Sequence, residues 1–155
     1  MDYSETKQFM ESRFGLEGGD AFEIDGISMT LGECAEGGVA LTAELGSLPE
    51  GAEAALREML EANHAFQGTG GATLGLEADQ EADGGGGARV RLSRFAWPED
   101  EEGFLVTLAS FAATAGEWRA KIAAAGDGDG GGGDGDDGGD RSGAPDSTML
   151  FGMMV

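Results

Sequence analysis

Residues 41–79 have the sequence LTAELGSLPEGAEAALREMLEANHAFQGTGGATLGLEAD, and its hydrophobic period changes twice. The opening LTAEL alternates apolar residues with others, as a strand with one buried face does. From Pro49 to about Phe66, apolar residues recur every three or four positions, which is typical of an amphipathic helix. The glycines of GTGG end that helix, and ATLGLEA predicts another strand. The order strand, helix, strand indicates an α+β domain.

Four elements are predicted before the central helix. Residues 2–14 predict a first helix, with Tyr3, Met10 and Phe14 on one face and Phe9 pointing well away from them. Three strands follow, at Phe22–Asp25, Ile27–Leu31 and Val39–Leu45. The short turns between these strands are typical of an antiparallel meander.

Two further elements are predicted after residue 79. Arg89–Ala96 predicts a strand that pairs with the strand at 72–78, across the acidic, Gly-rich loop DQEADGGGG (79–87). Pro98 and four acidic residues then begin a long helix, where the helix dipole favours negative charge. Its apolar stripe is Phe104, Leu108, Phe111, Ala115, Trp118 and Ile122. The predicted order is therefore α-β-β-β-α-β-β-α, an α+β fold with a twisted antiparallel sheet.

The charge of the chain limits its partners. Its 155 residues carry 9 Lys and Arg against 30 Asp and Glu, a formal net charge of −21. Nucleic acid and an anionic membrane surface are disfavoured, because both bind mainly through basic residues. One cysteine, Cys34, cannot form an internal disulfide and suits a reducing compartment. No secretory signal is visible at the start of the sequence, so a cytoplasmic location is expected.

The carboxyl-terminal segment differs from the rest in composition. Residues 1–125 predict the folded domain, and residues 126–140 contain only Gly and Asp, which predicts a disordered tether. Residues 141–155 end in the apolar sequence TMLFGMMV. This tail predicts docking on an apolar groove of its own domain or of a neighbour, and a frayed terminus is the alternative. For the Asp-rich tether, a solvated linker is favoured over weak cation binding.

No catalytic, cofactor or metal residues are predicted. The segment GTGGATLG at 68–75 follows a helix and precedes a strand, whereas a phosphate-binding loop needs the reverse order. One histidine and one cysteine cannot form a zinc site within one chain. His64 lies near a helix end and favours a helix-end or interface role, and Cys34 favours an inert thiol.

Three stretches carry a family resemblance together. They are residues 41–79, RVRLSRF at 89–95 and EWRAKI at 117–122. The most specific parts are the LGSLP turn, MLEAN at 59–63 and TGGATLGL at 69–76. In this order and spacing they resemble the CesT/Tir-type class I chaperones of bacterial type III secretion, over about residues 5–123.

The resemblance implies a small homodimer that binds the amino-terminal region of a bacterial effector. The effector segment would be held extended until it is delivered to the secretion ATPase, and the chaperone itself would use no ATP. In such chaperones the second helix and a neighbouring strand form the dimer interface. The corresponding residues here are Leu56, Met59, Leu60, Asn63, Val90, Leu92 and Phe95.

Client contacts in this family lie along the first helix and the sheet, often with a strand added to a sheet edge. The corresponding candidates are Phe9, Phe14, Leu16, Ile24, Met29 and Leu31, and ordinary core positions are the alternative for most of them. A second hypothesis is a regulatory or assembly module whose apolar tail occupies its own groove or a neighbour's. A small hydrolase is a third hypothesis, and no group of residues in the sequence supports it.

Overall fold

The computed structural model describes residues 1–16, 20–78 and 87–127. The elements are α1 (Tyr3–Phe14), β1 (Ala21–Ile24), β2 (Ile27–Glu33), a 3₁₀ turn (Ala35–Gly37), β3 (Val39–Leu48), α2 (Glu53–Ala65), β4 (Thr73–Ala78), β5 (Ala88–Ala96) and α3 (Glu101–Asp127). The predicted α+β class, with three helices and an antiparallel sheet, is confirmed. Most of the loop 79–87, the tether beyond residue 127 and the tail lie outside the described residues.

The five strands form one sheet in the order β1-β2-β3-β5-β4, with every neighbouring pair antiparallel. A two-residue turn joins β1 to β2, with φ of 52° at Asp25 and 73° at Gly26. An Asp-Gly pair suits this turn, because both central residues need positive φ. Between β3 and β5 the register shifts at Glu44 and Gly46, where Gly46 has φ of 120°. In the strand order given above, β1 and β4 are the two edge strands of the sheet.

The core lies between the sheet and the helices on one of its faces. Every residue of the predicted α3 stripe is buried, from Phe104 to Ile122. Alternate residues of β2, β3 and β5 face the helices and are buried with them, as period-two patterning requires. Each large apolar side chain buried there stabilises the fold by about 1.5–3 kcal/mol before entropy is counted.

The opposite face of the sheet carries mostly polar and small side chains. Thr42, Glu44, Arg91 and Ser93 lie on this face, and each is half-buried or exposed. Arg91 forms ion pairs with Glu44 at 3.3 Å and with Glu77 at 2.8 Å across neighbouring strands. One covered face and one polar face are typical of an antiparallel sheet.

Helix α1 is held at both ends. The Asp2 carboxylate accepts a hydrogen bond from the Glu5 amide, and the Glu5 carboxylate accepts one from the Asp2 amide, both at 2.9 Å. This capping box satisfies donors that a helix start otherwise leaves free. Gly15 ends the helix with φ of 67°. The Met1 amine donates to the Pro98 carbonyl at 2.9 Å, which fixes α1 beside the start of α3.

The structure corrects the predicted faces of α1. Thr6 and Met10 are buried and Tyr3 is half-buried, but Phe14 is 50% exposed. Phe14 does not share the buried face because it is the last residue of the helix, where the chain turns away. Phe9, which was predicted to point elsewhere, packs edge-to-face on Phe104 with ring centroids 6.2 Å apart.

Three helix boundaries also differ from the predictions. Helix α2 begins at Glu53 rather than Pro49, because Gly51 has φ of 86°, which no α-helix allows. Helix α3 begins at Glu101, where the Asp100 carboxylate accepts a hydrogen bond from the Gly103 amide at 2.8 Å. It continues to Asp127, two residues into the range that composition assigned to the tether.

Candidate functional site

The client candidates on and after α1 are accessible to different degrees. Phe14 is 50% exposed, whereas Phe9 and Leu16 are half-buried and pack against the edge of the core. Part of the Phe9 ring is committed to Phe104. Phe14 is therefore the candidate with most of its apolar surface free to meet a partner.

The candidates on the strands belong mainly to the core. Met29 and Leu31 are 0% and 2% exposed, because they lie on the face of β2 that the helices cover. Their side chains are packed inside the domain, so their predicted role in client contact is corrected to a structural one. Ile24 is half-buried and packs against the same core from β1.

Strand β1 offers a free edge beside these residues. The Leu31 amide donates a hydrogen bond to the Asp20 carbonyl at 2.7 Å, so Asp20 and Leu31 form a hydrogen-bonded pair beside the β1–β2 ladder. In an antiparallel ladder, hydrogen-bonded pairs alternate with pairs that are not hydrogen-bonded. By that alternation the backbone groups of Ala21 and Glu23 point away from β2. Because β1 is the first strand of the sheet, these groups form an edge to which an extended segment can add.

A small polar cluster ties α1 to the start of β1. The Lys7 ammonium lies 2.6 Å from the Asp20 carboxylate, and the Tyr3 hydroxyl donates to the same oxygen at 3.1 Å. The hydrogen bond to Asp20 raises the pKa of Lys7, and the bonds from Lys7 and then Tyr3 lower the pKa of Asp20. Burial, followed by the bond to Asp20, raises the pKa of Tyr3. The cluster thus holds the first half of α1 beside the start of β1, and Phe14 lies about 10 Å further along the same helix.

The dimer candidates fall into three separate environments. Met59, Val90 and Leu92 are buried in the core of the domain, so their predicted interface role is also corrected to a structural one. Leu56 is half-buried, and Leu60 is 70% exposed. Of the apolar candidates on α2, Leu60 has most surface left to bury against another molecule.

Asn63 connects α2 to the outer edge of β4. Its side-chain amide donates to the Leu74 carbonyl, and its side-chain oxygen accepts from the Leu74 amide, both at 2.8 Å. Asn63 therefore pairs with β4 as the backbone of a neighbouring strand would, and it covers the edge at that residue. Its hydrogen bonds are made within the domain, which gives Asn63 a structural role that helical spacing did not predict.

Phe95 lies away from the other dimer candidates. It is 62% exposed and pairs in register with Ala40, on the sheet face opposite to Val90 and Leu92. A surface centred on α2 does not include it, because the sheet lies between them. Phe95 therefore lies on a different surface of the domain from Leu56 and Leu60.

Leu76 is an apolar residue that the sequence reasoning missed. It is 51% exposed and lies on the same sheet face as Leu74, two residues further along β4. Leu60 lies three residues before Asn63 on α2. Leu60 lies within about 7 Å of Asn63 along α2, and Leu76 lies within about 7 Å of Leu74 along β4. Both leucines are therefore near the hydrogen bonds that join Asn63 to Leu74. We call the surface formed by Leu56, Leu60 and Leu76 the α2–β4 patch; the alternation TLGL was the signal that could have found Leu76.

The glycine-rich turn at 68–71 has a structural role. The Trp118 indole donates to the Gly68 carbonyl at 2.8 Å, and a side chain at Gly70 would come within 3.1 Å of the Thr114 hydroxyl. The turn therefore packs closely on α3. His64 is exposed in the last turn of α2, and Cys34 is half-buried before the 3₁₀ turn.

Two searches of the described residues bear on other functions. No cluster of three or more His, Cys, Asp or Glu side chains with metal-binding geometry occurs among them. In the same part of the chain, no helix combines the length and apolar character needed to cross a bilayer. Comparison with protein-family models, curated proteins and solved structures found no match to this chain.

Proposed function

We propose that this protein is a secretion chaperone of the CesT/Tir type, which binds the amino-terminal region of an effector in extended form and keeps it soluble. The observation that carries the proposal is that α1, which bears the exposed Phe14, is tied through Lys7 and Asp20 to the start of β1, an edge strand among the described residues. An extended chain needs both of these, because backbone hydrogen bonds give it affinity and apolar contacts give it specificity.

The client would bind in two ways at once. Its backbone would pair with Ala21 and Glu23 at the β1 edge, and its apolar side chains would lie against Phe14, Leu16 and the exposed part of Phe9. The ion pair between the Lys7 ammonium and the Asp20 carboxylate, 2.6 Å apart, supports this arrangement because it keeps α1 beside the start of β1. Binding of this kind needs no nucleotide or cofactor, and a secretion ATPase would act after the client is bound.

The α2–β4 patch supports the second part of the proposal, a homodimer. Leu60 and Leu76 are 70% and 51% exposed, which is unusual for leucines that lie near one another. In a two-fold dimer the same patch meets its own copy, so the exposed leucines of both protomers are buried. The acidic surface of residues 1–125 would keep a dimer with apolar client sites soluble.

Co-purification from the native cell tests the client-binding proposal. The full chain would be isolated with its bound proteins, and limited proteolysis would then identify the protected segment of each partner. We expect a protected amino-terminal segment of about 50–100 residues, because an extended chain must cross the α1 and β1 surface without folding.

Matched variants make this test specific. Phe14→Asp should release the client, whereas Val106→Asp should retain it, because Val106 is 65% exposed on α3 and lies outside the proposed site. Retention of the client by Phe14→Asp, or protection of a folded domain instead of an extended segment, would overturn the proposal.

A further inference from the structure

Helix α2, which carries Leu56 and Leu60, contacts the last turns of α3 near the point where the described chain ends. The Lys121 ammonium is 2.5 Å from the Glu58 carboxylate, which ties the last turns of α3 to α2. Lys121 also lies over the Trp118 ring at 4.4 Å from its centroid. Asp127 is six residues further on, about 9 Å along the helix axis. Asp127 therefore lies about 9 Å along α3 from the contact with α2, whose Leu56 and Leu60 lie on a different side of that helix from Glu58.

The sequence that follows Asp127 ends in an apolar segment. Residues 148–155 are TMLFGMMV, and the 20 residues 128–147 that precede them are mostly Gly, Asp and other small residues. A chain of 20 such residues spans about 25 Å root-mean-square. Methionine-rich segments adapt well to irregular apolar surfaces, because their side chains are unbranched.

Three of the other apolar candidates are less accessible from that point. Phe9 packs against Phe104 near the start of α3, about 35 Å along the helix from Asp127, and Phe14 lies on the same short helix as Phe9. Phe95 lies on the opposite face of the sheet, near the same distant end. Phe66 is 60% exposed at the end of α2, two residues before Gly68, whose carbonyl accepts a hydrogen bond from Trp118, but it is a single side chain. The α2–β4 patch offers two leucines that are more than half exposed, and a span of about 25 Å can reach it.

We propose that residues 148–155 dock on the α2–β4 patch of their own chain. The docking itself is independent of the chaperone proposal, but one consequence rests on it: the tail and a second copy compete for the same leucines. A linker of this length gives an effective concentration in the millimolar range, so a tail with a Kd of about 1 mM would be docked half of the time. Each protomer must release its tail to dimerise, which raises the apparent dimer Kd about fourfold.

Charge opposes this docking and gives it a distinct salt dependence. The tether is acidic, and the same surface of α2 carries Glu53, Glu58 and Glu61 with one base, Arg57; Glu58 is paired with Lys121, which leaves the surface acidic on balance. Salt screens repulsion between like charges over about 10 Å at 0.1 M and less at higher concentration, while apolar contact persists. Docking should therefore increase from 10 mM to 0.5 M NaCl, whereas a tail held by ion pairs would be released.

Photo-crosslinking tests the proposal in the full chain. A benzophenone amino acid replaces Phe151, and the crosslinked peptides are identified across a hundredfold range of protein concentration. We expect intrachain crosslinks to the peptides that contain Leu60 or Leu76, with a yield that does not depend on concentration. Crosslinks only between chains, a yield that rises with concentration, or crosslinks elsewhere on the domain would each refute docking in cis.

Substitutions on both sides of the contact complete the design. Leu60→Asp should reduce the crosslink yield at least fivefold, and the matched control Val106→Asp should leave it unchanged. Phe151→Ser, which changes only the tail, should increase amide hydrogen exchange in α2 and β4, and this keeps the test valid if Leu60→Asp folds poorly. Unchanged exchange would count against docking.

Failure of the docking is distinguishable from failure of the chaperone proposal. A chain that crosslinks in cis but binds no client supports the docking alone. A chain that binds a client and whose tail does not crosslink to the patch supports only the chaperone.

Discussion

Replacing Leu60 by alanine separates the proposed dimer interface from the stability of the domain. Leu60 is 70% exposed in the single chain, so most of its apolar surface is free to be buried on association. Complete burial of a leucine side chain contributes about 1.5–3 kcal/mol, and 70% of this is about 1–2 kcal/mol in each protomer. Two-fold symmetry doubles the effect to about 2–4 kcal/mol, so the dimer Kd should rise between about 30-fold and several hundredfold.

The same change should hardly affect the folded domain. Only the remaining 30% of Leu60 is buried within the chain, so the free energy of unfolding should fall by less than about 1 kcal/mol. Sedimentation velocity over a dilution series gives the dimer Kd, and urea unfolding of the monomer gives the stability. A large loss of stability together with an unchanged Kd would mean that Leu60 packs inside the domain.

Val106→Ala is the matched control for this experiment. Val106 is 65% exposed on α3, and it lies 15 residues before Lys121, about 22 Å along the helix from the contact with α2. It should leave the Kd unchanged. A Kd that rises equally in both variants, or a wild-type chain that stays monomeric at every concentration, would refute the interface.

Three further predictions concern the elements that position these surfaces. Asn63→Ala removes two hydrogen bonds to the β4 backbone and should lower the free energy of unfolding by about 1–3 kcal/mol in urea titrations; no change would exclude the bridge. Asp20→Asn should lower the melting temperature slightly between about pH 4 and pH 10, because the carboxylate with a lowered pKa stabilises the fold only while it is ionised and Lys7 only while it is protonated. The difference should disappear in acid, and its persistence there would contradict this reading. Gly38→Ala places a methyl group 2.5 Å from the Trp97 indole nitrogen, so the exposed ring should move and its fluorescence should change, at a cost of about 1 kcal/mol; an unchanged spectrum would mean that the ring does not cover Gly38.

The hydrophobic period predicted the elements of this fold because buried residues recur every three or four positions in a helix and every two positions in a strand. The α3 stripe repeats every three or four residues, and all six of its residues are buried. The alternation in β2 and β3 likewise predicted which side chains face the helices. Boundaries were less accurate, since Gly51 excludes the helical start that Pro49 suggested and no composition rule showed that α3 reaches Asp127.

Period assigns a residue to a face but does not say what covers that face. The resemblance names Met29 and Leu31 as client contacts with the core as the alternative, and both lie in the core under the helices. The same resemblance groups Phe95 with α2, but its odd separation from Val90 and Leu92 within the strand places it on the other side of the sheet. Only the sheet order and the position of α2 resolve these cases.

Asn63 illustrates a different limit of sequence reasoning. It follows the helical spacing of Leu56 and Met59, so an interface role was a reasonable inference from the sequence. Its amide group has the donor and acceptor arrangement of a peptide unit, and it satisfies both backbone groups of Leu74 at a sheet edge. This pairing depends on which strand edge lies beside the helix, a long-range property that local pattern does not contain.

Charge and apolar exposure have separate functions in this chain. Its net charge of −21 disfavours contact with most acidic surfaces and with other copies of itself, and this limits non-specific association. Specific partners must then compensate for that repulsion by burying apolar surface at a few places. Phe14 beside the β1 edge and Leu60 on the α2–β4 patch are 50% and 70% exposed and lie in different parts of the domain. The proposed client would therefore not compete for the same side chains with the proposed second copy, or with the tail in place of the second copy.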